Sequence, residues 1–523
     1  MVYNPKSYYS YNIQGGNKTM NNMVGFTKID FAILVLYLVA VLFAGLFFSK
    51  KEMKGKEFFK GDGTIPWWVT SVSIFATLLS PISFLSLAGN SYGGTWILWF
   101  AQLGMFIAIP LTIKFFLPLY SRLDLDTAYQ YLEIRFDSKG LRVLGALMFI
   151  IYQIGRMSII MYLPSVVLAE LTGISVNVLI IVMGVIAIIY SYTGGLKSVL
   201  WTDFIQGVVL IVGVIGTLFF LIANINGGVG TVMETLTSGQ KFLSANEVIF
   251  DPNILKSSVF IIFVGAGLNT FSSYVSSQDI VQRFTTTTNL KELKKMTYGN
   301  GLLSITVATV FYLIGTCLFI FYTQNPELAQ TAKQDQIFAS YIAYQLPVGV
   351  TGILLAAIYA ASQSTLSTGL NSVATSWTLD IQTMISKDMS FEKQTKIAQY
   401  ISLGVGIVAI GVSIILANGE IKSAYEWFNS FMGLVLGVLA GIFVLGAFCK
   451  NATRFGAYIG FTISAILVIY LKYNVPDVTS WAYSLITITT SVIVGQIASI
   501  IQLNVTKRKN NVREDSTIYY ELN

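Results

Sequence analysis

Apolar residues run along this chain in long blocks rather than in alternation. Windows of about 20 residues, the length that crosses hydrocarbon as a helix, pick out 29–48, 66–91, 96–121, 141–169, 174–193, 199–224, 257–278, 299–323, 347–377, 397–417, 424–449, 455–474 and 479–503. Blocks of this length predict helices, whose backbone groups are satisfied internally as lipid demands. The expected fold class is an all-α polytopic membrane protein with about 13 transmembrane helices.

Two blocks are interrupted in their middles. The second holds Leu78-Leu79-Ser80-Pro81-Ile82-Ser83. Pro81 lacks an amide donor and pushes Ser80 away from helical geometry, so a break is expected at Leu79 and Ser80, with carbonyls left free. The seventh block holds Gly265 to Ser273, small and polar enough to unwind, and a second break is expected there. The breaks lie five blocks apart. They predict two inverted five-helix repeats, 66–224 and 257–449, preceded by one helix (29–48), followed by two (455–503) and flanked by tails 1–28 and 504–523. The plainer reading is a pair of ordinary kinks.

The ninth block carries the densest hydroxyl run, Ala361 to Ser372. Residues three or four apart are neighbours on a helix, so Ser364, Ser367 and Thr368 stack on one face. Hard alkali cations take such oxygens, and a helix that opens slightly adds carbonyls to them. The alternative is that these hydroxyls are packing glue that bonds back to its own helix. Spacing alone leaves both open.

Composition narrows the function classes. The chain is 54% hydrophobic and 11% charged, with a mean hydropathy of +0.67. Histidine is absent, which removes His-based proton relays, His-ligated zinc and Ser-His triads. Cys317 and Cys449 fall in different blocks, near opposite membrane faces, so no disulfide framework is expected. Residues 1–28 show no cleavable-signal order, so the first block is expected to stay as an anchor, with Met20 or Met23 as alternative starts. The net charge of +7 comes from basic residues spread between blocks, not from one patch, which argues against a nucleic-acid partner. With the N-terminus outside, 23 of the 33 basic residues fall on inner loops and 8 outside, predicting N-out and C-in.

Charges inside blocks are the next clue. Arg156 sits mid-block with apolar residues on both sides, where an unpaired cation costs at least about 2.5 kcal/mol. Its partner is either a carboxylate of the bundle or, because mid-membrane acids look scarce, a carboxylate on a substrate held by the guanidinium fork. Asp203 enters its block from the inner side. It either pairs with Lys197 or faces the hydroxyl helix and supplies the formal charge of a cation site. The sequons at Asn17 and Asn451 are weak, and no Gly-rich pair has the context of a phosphate loop.

Several strings resemble a known family. YTGGLKSVLWTDFIQG (192–207), SSQDIVQRF (276–284) and the Ala361 to Ser372 run are similar to the sodium:solute symporter family over about residues 29–500. SIFATLLSPISF (73–84), YQIGRMSII (152–160) and AASQSTLSTGLNS (360–372) look most like its bacterial sialic acid branch. The resemblance implies a LeuT-like core of five plus five helices, with one before and two after. It implies Na+ as coupling ion at a shared site formed by the carbonyls of Ala76, Leu79 and Ala361 and the hydroxyls of Ser364 and Thr365. A second sodium site would use Asp203, Ser364, Ser367 and Thr368. The substrate carboxylate would be held by Ser80, Ser83 and Arg156, with Gln102 near the sugar. The branch often has serine at position 81 and threonine at 83. Ser83 lacks the methyl group and enlarges the pocket, which puts the acyl preference in question. Thr365 and Thr368 keep an oxygen where serine is usual.

The resemblance thus implies a non-enzymatic symporter of the bacterial cell membrane, working as a monomer in the lipid bilayer, that imports sialic acid with sodium. Rival readings are the same fold carrying a neutral sugar, an amino acid or another organic anion, and a ligand sensor that does not transport.

Overall fold

The computed structural model describes residues 26–49, 57–61, 63–193, 195–239, 241–244, 247–328, 336–386, 389–419, 424–507 and 513–521. The expected N-terminal tail and alternative starts lie almost wholly outside them. Each apolar block coincides with a helix or a helix pair. The chain runs through α1 (Lys28–Ser49), the pair α2 (Trp67–Leu78) and α3 (Pro81–Gly93), α4 (Ile97–Leu123), α5 (Gln130–Phe136), α6 (Lys139–Thr172), α7 (Val176–Thr193) and α8 (Leu196–Ala223). It continues through α9 (Val259–Ser276), α10 (Gln278–Phe284), α11 (Leu290–Gln324) and α12 (Ile337–Tyr344), then α13 (Val350–Ile385). The last four are α14 (Phe391–Ala417), α15 (Ala424–Phe448), α16 (Arg454–Asn474) and α17 (Tyr483–Thr506). Among the described residues, eleven helices are long and apolar enough to cross a membrane and the bent α2/α3 pair makes a twelfth span; α7 has a shorter apolar stretch, Val176–Ile189.

The first break falls where proline chemistry places it. Leu79 (ψ 101°) and Ser80 (ψ 164°) are extended, Pro81 opens α3, and the two halves bend by 65°. Ser80 caps α3 by accepting from the Ser83 amide at 3.4 Å.

The second break is displaced from its expected position. α9 runs unbroken through Gly265 to Ser273, and the helix opens only at Ser277 (φ −90°, ψ 117°), between α9 and α10. The small polar residues stay helical, and the hydroxyls of Ser272, Ser273 and Ser276 are satisfied within the helix by donating to carbonyls four residues back. The glycines serve close packing instead: a Cβ on Gly265 would lie 2.1 Å from the Trp481 carbonyl oxygen. On the facing helix, a Cβ on Gly104 would stand 2.5 Å from the Gly267 nitrogen. Gly104→Ala is therefore expected to push α4 off α9 and to destabilise by about 1–3 kcal/mol, read as a lower melting temperature in detergent. An unchanged melting temperature would show that the two backbones can separate without loss.

α13 is the interior element. It packs against α1, α2, α6, α7, α8 and α14, and 89% of its apolar window is buried, against 22% for α1 and for α14. A helix covered on all sides can carry hydroxyls into the bundle without exposing them to lipid.

Candidate functional site

The end of α2 meets the middle of α13. Ser364 Oγ lies 3.1 Å from the Ala76 carbonyl oxygen and 3.2 Å from that of Ala361, and Thr365 Oγ1 lies 3.0 Å from Ala361 O and 3.4 Å from Thr77 O. Four of the five residues expected at the shared sodium site, Ala76, Ala361, Ser364 and Thr365, thus form one cluster. Leu79 is the extended residue that closes α2. Packing glue describes other members of the run: Ser362, Ser367 and Ser372 bond back to Ile358 O, Ser364 O and Thr368 O. Ser364 and Thr365 bond back to Ala361 O and also reach across to α2, and Thr368 reaches Asp203 on α8.

Asp203 on α8 is wholly buried and faces the hydroxyl helix. Its Oδ2 accepts from Thr368 Oγ1 at 3.1 Å and Ser73 Oγ at 2.7 Å, and it forms a salt bridge with Arg283 Nη2 at 2.8 Å. Asp203 and Thr368 of the expected second site are therefore in contact. Ser364 and Ser367 lie on the same helix, with the Ser367 hydroxyl turned onto the Ser364 carbonyl.

The partner of Arg156 is a carboxylate of the bundle. Its Nη1 meets Asp279 Oδ2 at 2.5 Å and its Nη2 donates to Thr77 O at 2.5 Å, the free C-terminal end of α2, where a cation is favoured. The expectation that acids are too scarce to serve it is corrected: Asp279, just past the end of its apolar block, is fully enclosed beside Arg156, and Asp203 and Asp380 are buried elsewhere in the bundle, the last in a 2.7 Å ion pair with Arg142.

On the far side of the break lies a cavity of about 120 Å³, with Ser83, Gln102, Asn269, Asn429 and Trp481 among its walls. It joins Ser83 and Gln102 of the expected substrate set, while Ser80, whose hydroxyl accepts from the Ser83 amide, and Arg156 are not among its walls. Asn269 Nδ2 donates to Asn429 Oδ1 at 2.9 Å, giving the wall a pair of amides. Sequence reasoning passed over Asn269, Asn429, Asp279 and Arg283. The last two stood in the quoted string 276–284, and their charge inside a buried stretch was the available signal.

The site thus combines a cluster of hard oxygens, suited to an alkali cation, with a small cavity whose walls mix the hydroxyl and amide groups of Ser83, Gln102, Asn269, Thr270 and Asn429 with apolar surface from Met105, Phe428, Met432 and Trp481, the make-up of a small-molecule pocket. Residues 58–464 match the sodium:solute symporter family. The chain belongs to that family.

Among its relatives, this symporter is 33% identical over 491 residues to the sodium/sialic acid symporter NanT of Aliivibrio fischeri, covering 94% of this chain and 95% of that one. It is 33% identical over 476 residues to the sodium/sialic acid symporter SiaT of Proteus mirabilis, covering 91% and 95%. A solved Na+-coupled sialic acid symporter, in a substrate-bound outward-open state with a novel Na+ site, superposes with a TM-score of 0.84 at 32% identity, covering 91% of this chain and 98% of that one. The nucleobase-cation-symport-1 transporter Mhp1, at 12% identity, a TM-score of 0.57 and coverages of 84% and 93%, shares the fold alone. The symporter has the LeuT-like all-helical fold, and Na+ is its coupling ion.

Proposed function

We propose that this symporter imports sialic acid, with N-acetylneuraminate as the reference substrate, by alternating access and with two sodium ions. The observation that carries the reading is the near-complete overlap, at 33% identity, with two sodium/sialic acid symporters. In this reading it resides in the bacterial cell membrane as a monomer, N-terminus outside, and helices 66–224 and 257–449 are the two inverted repeats. One sodium bridges the carbonyls of Ala76, Leu79 and Ala361 to the hydroxyls of Ser364 and Thr365, joining the broken helix to α13. The second uses Asp203 with Ser364, Ser367 and Thr368. Ser80, Ser83 and Arg156 take the substrate carboxylate, and Gln102 takes the sugar.

Two cations carried with one monoanion move net positive charge inward, which the membrane potential drives by about 2.3 kcal/mol per charge per 100 mV. The deciding experiment is uptake of labelled N-acetylneuraminate into proteoliposomes under an inward sodium, potassium or proton gradient. Accumulation only with sodium is expected, with inward current; uptake of neutral sugars or amino acids in place of the anion would overturn the assignment. Ser364 belongs to both proposed cation sites, so Ser364→Ala is expected to raise the sodium concentration for half-maximal uptake at least tenfold, about 1.4 kcal/mol. A sodium titration of uptake reads this directly.

A further inference from the structure

Four buried charges stand in strict alternation across the core: Asp203 on α8, Arg283 and Asp279 on α10, and Arg156 on α6. Arg283 Nη2 holds Asp203 at 2.8 Å and Arg156 Nη1 holds Asp279 at 2.5 Å. Arg283 Nη1 also donates to the backbone carbonyl of Asp279, and the two residues, four apart on one helix, are side-chain neighbours. Asp279 thus separates the two arginines. The set is formally neutral.

Each end of this row has an unused valence. Among the described residues, Asp203 Oδ1 makes no hydrogen bond, and neither does Arg156 Nε, although both are buried. The guanidinium of Arg283 meanwhile sits on oxygens of the proposed second sodium site: besides Asp203 it touches Thr368 Oγ1 at 2.6 Å, with Thr77 Oγ1 at 2.9 Å and Ser73 Oγ at 3.0 Å. A sodium ion added there would place two cations on one buried carboxylate, where unbalanced charge is expensive.

We infer that the row Asp203–Arg283–Asp279–Arg156 is the coupling element between sodium and the substrate anion, its pairing shifting by one partner when both ligands bind. In the ligand-free pairing, Arg283 serves Asp203 and Arg156 serves Asp279. In the loaded pairing, sodium serves Asp203, Arg283 turns one helical step to the Asp279 carboxylate, and Arg156 is released to the substrate carboxylate. Both pairings are fully compensated. Sodium alone leaves Arg156 without a counter-ion and so favours the anion; the anion alone leaves Asp203 uncompensated and so favours sodium. Linkage then makes the two affinities rise by the same factor. Arg283 and Asp279 are positioning residues in this scheme, acting through Asp203 and Arg156.

The inference rests on the proposed function, and the test separates the two. N-acetylneuraminate binding to the purified symporter is measured by calorimetry in saturating sodium and in potassium, and the ratio of dissociation constants is the coupling factor. The double variant Asp279→Asn/Arg283→Gln keeps the net charge and leaves Asp203 and Arg156 permanently free. Its affinity in potassium is expected to rise at least tenfold and its coupling factor to fall at least tenfold, the remainder reflecting the shared site. A wild-type coupling factor in this variant would overturn the inference while leaving symport intact. Absence of sodium-dependent binding in the wild type would instead remove the function reading itself. A second measurement needs no variant: the methyl ester of N-acetylneuraminate carries no charge to satisfy Arg156, so its binding to wild type should show a coupling factor at least tenfold smaller than the acid's, and an equal factor would overturn the inference.

Discussion

Arg156→Ala is expected to abolish uptake of N-acetylneuraminate and to weaken its binding by at least a hundredfold. The residue is asked for two things. Under the proposed function it supplies the planar fork for the substrate carboxylate, and in the structure it compensates Asp279, which is wholly enclosed and would otherwise be a buried charge with its main ion-pair partner gone. Truncating one member of such a pair costs about 2–5 kcal/mol or more, so part of the loss should register as a lower melting temperature. Arg156→Lys separates the contributions. It keeps the charge beside Asp279 and restores most of the stability, but a point charge replaces the fork, so anion affinity should stay well below wild type. Calorimetry and thermal unfolding on the same preparations read both; wild-type affinity in either variant would show that the anion binds elsewhere.

Asp203→Asn should have the second-largest effect, and of a different kind. The variant loses the formal negative charge facing Thr368 and leaves Arg283 without its closest carboxylate. Breaking a buried pair this way destabilises by about 3–5 kcal/mol, less whatever Arg283 recovers by turning to Asp279. Uptake should lose its cooperativity in sodium, with the Hill coefficient falling to about one as a single site remains. Because Arg283 then satisfies Asp279, Arg156 is freed, and anion binding should persist with weaker dependence on sodium while accumulation against a gradient fails. Unchanged cooperativity would remove Asp203 from the sodium pathway.

These effects depend on contacts between residues far apart in the chain, and that separation marks what could be read in advance. The helical character of the apolar blocks was legible because an apolar stretch of about 20 residues can satisfy its backbone by itself only as a helix; among the described residues eleven helices and the bent α2/α3 pair reach that length and apolarity, and the α7 stretch falls short of it. The break at Leu79 and Ser80 was legible for the same reason of locality: Pro81 acts on its own residue and the one before it. The Gly265 to Ser273 stretch carried an equally polar local signal and gave the wrong position, since whether a glycine unwinds a helix or lets a neighbour approach depends on that neighbour, here Trp481, Gly104 and Ile107.

The hydroxyl run marked α13 as a candidate binding helix from spacing alone, yet only packing decided which hydroxyls turn back and which reach Ala76, Thr77 and Asp203. The charges make the sharpest division. That Arg156 needs a partner followed from its place in an apolar block. That the partner is Asp279, 123 residues away, and that Asp203 is held by Arg283, 80 residues away, followed only from the tertiary structure. The cost of burying a charge is a property of one residue and is written in the sequence around it; the pairing that relieves it is a property of which helices meet, and no local pattern encodes that.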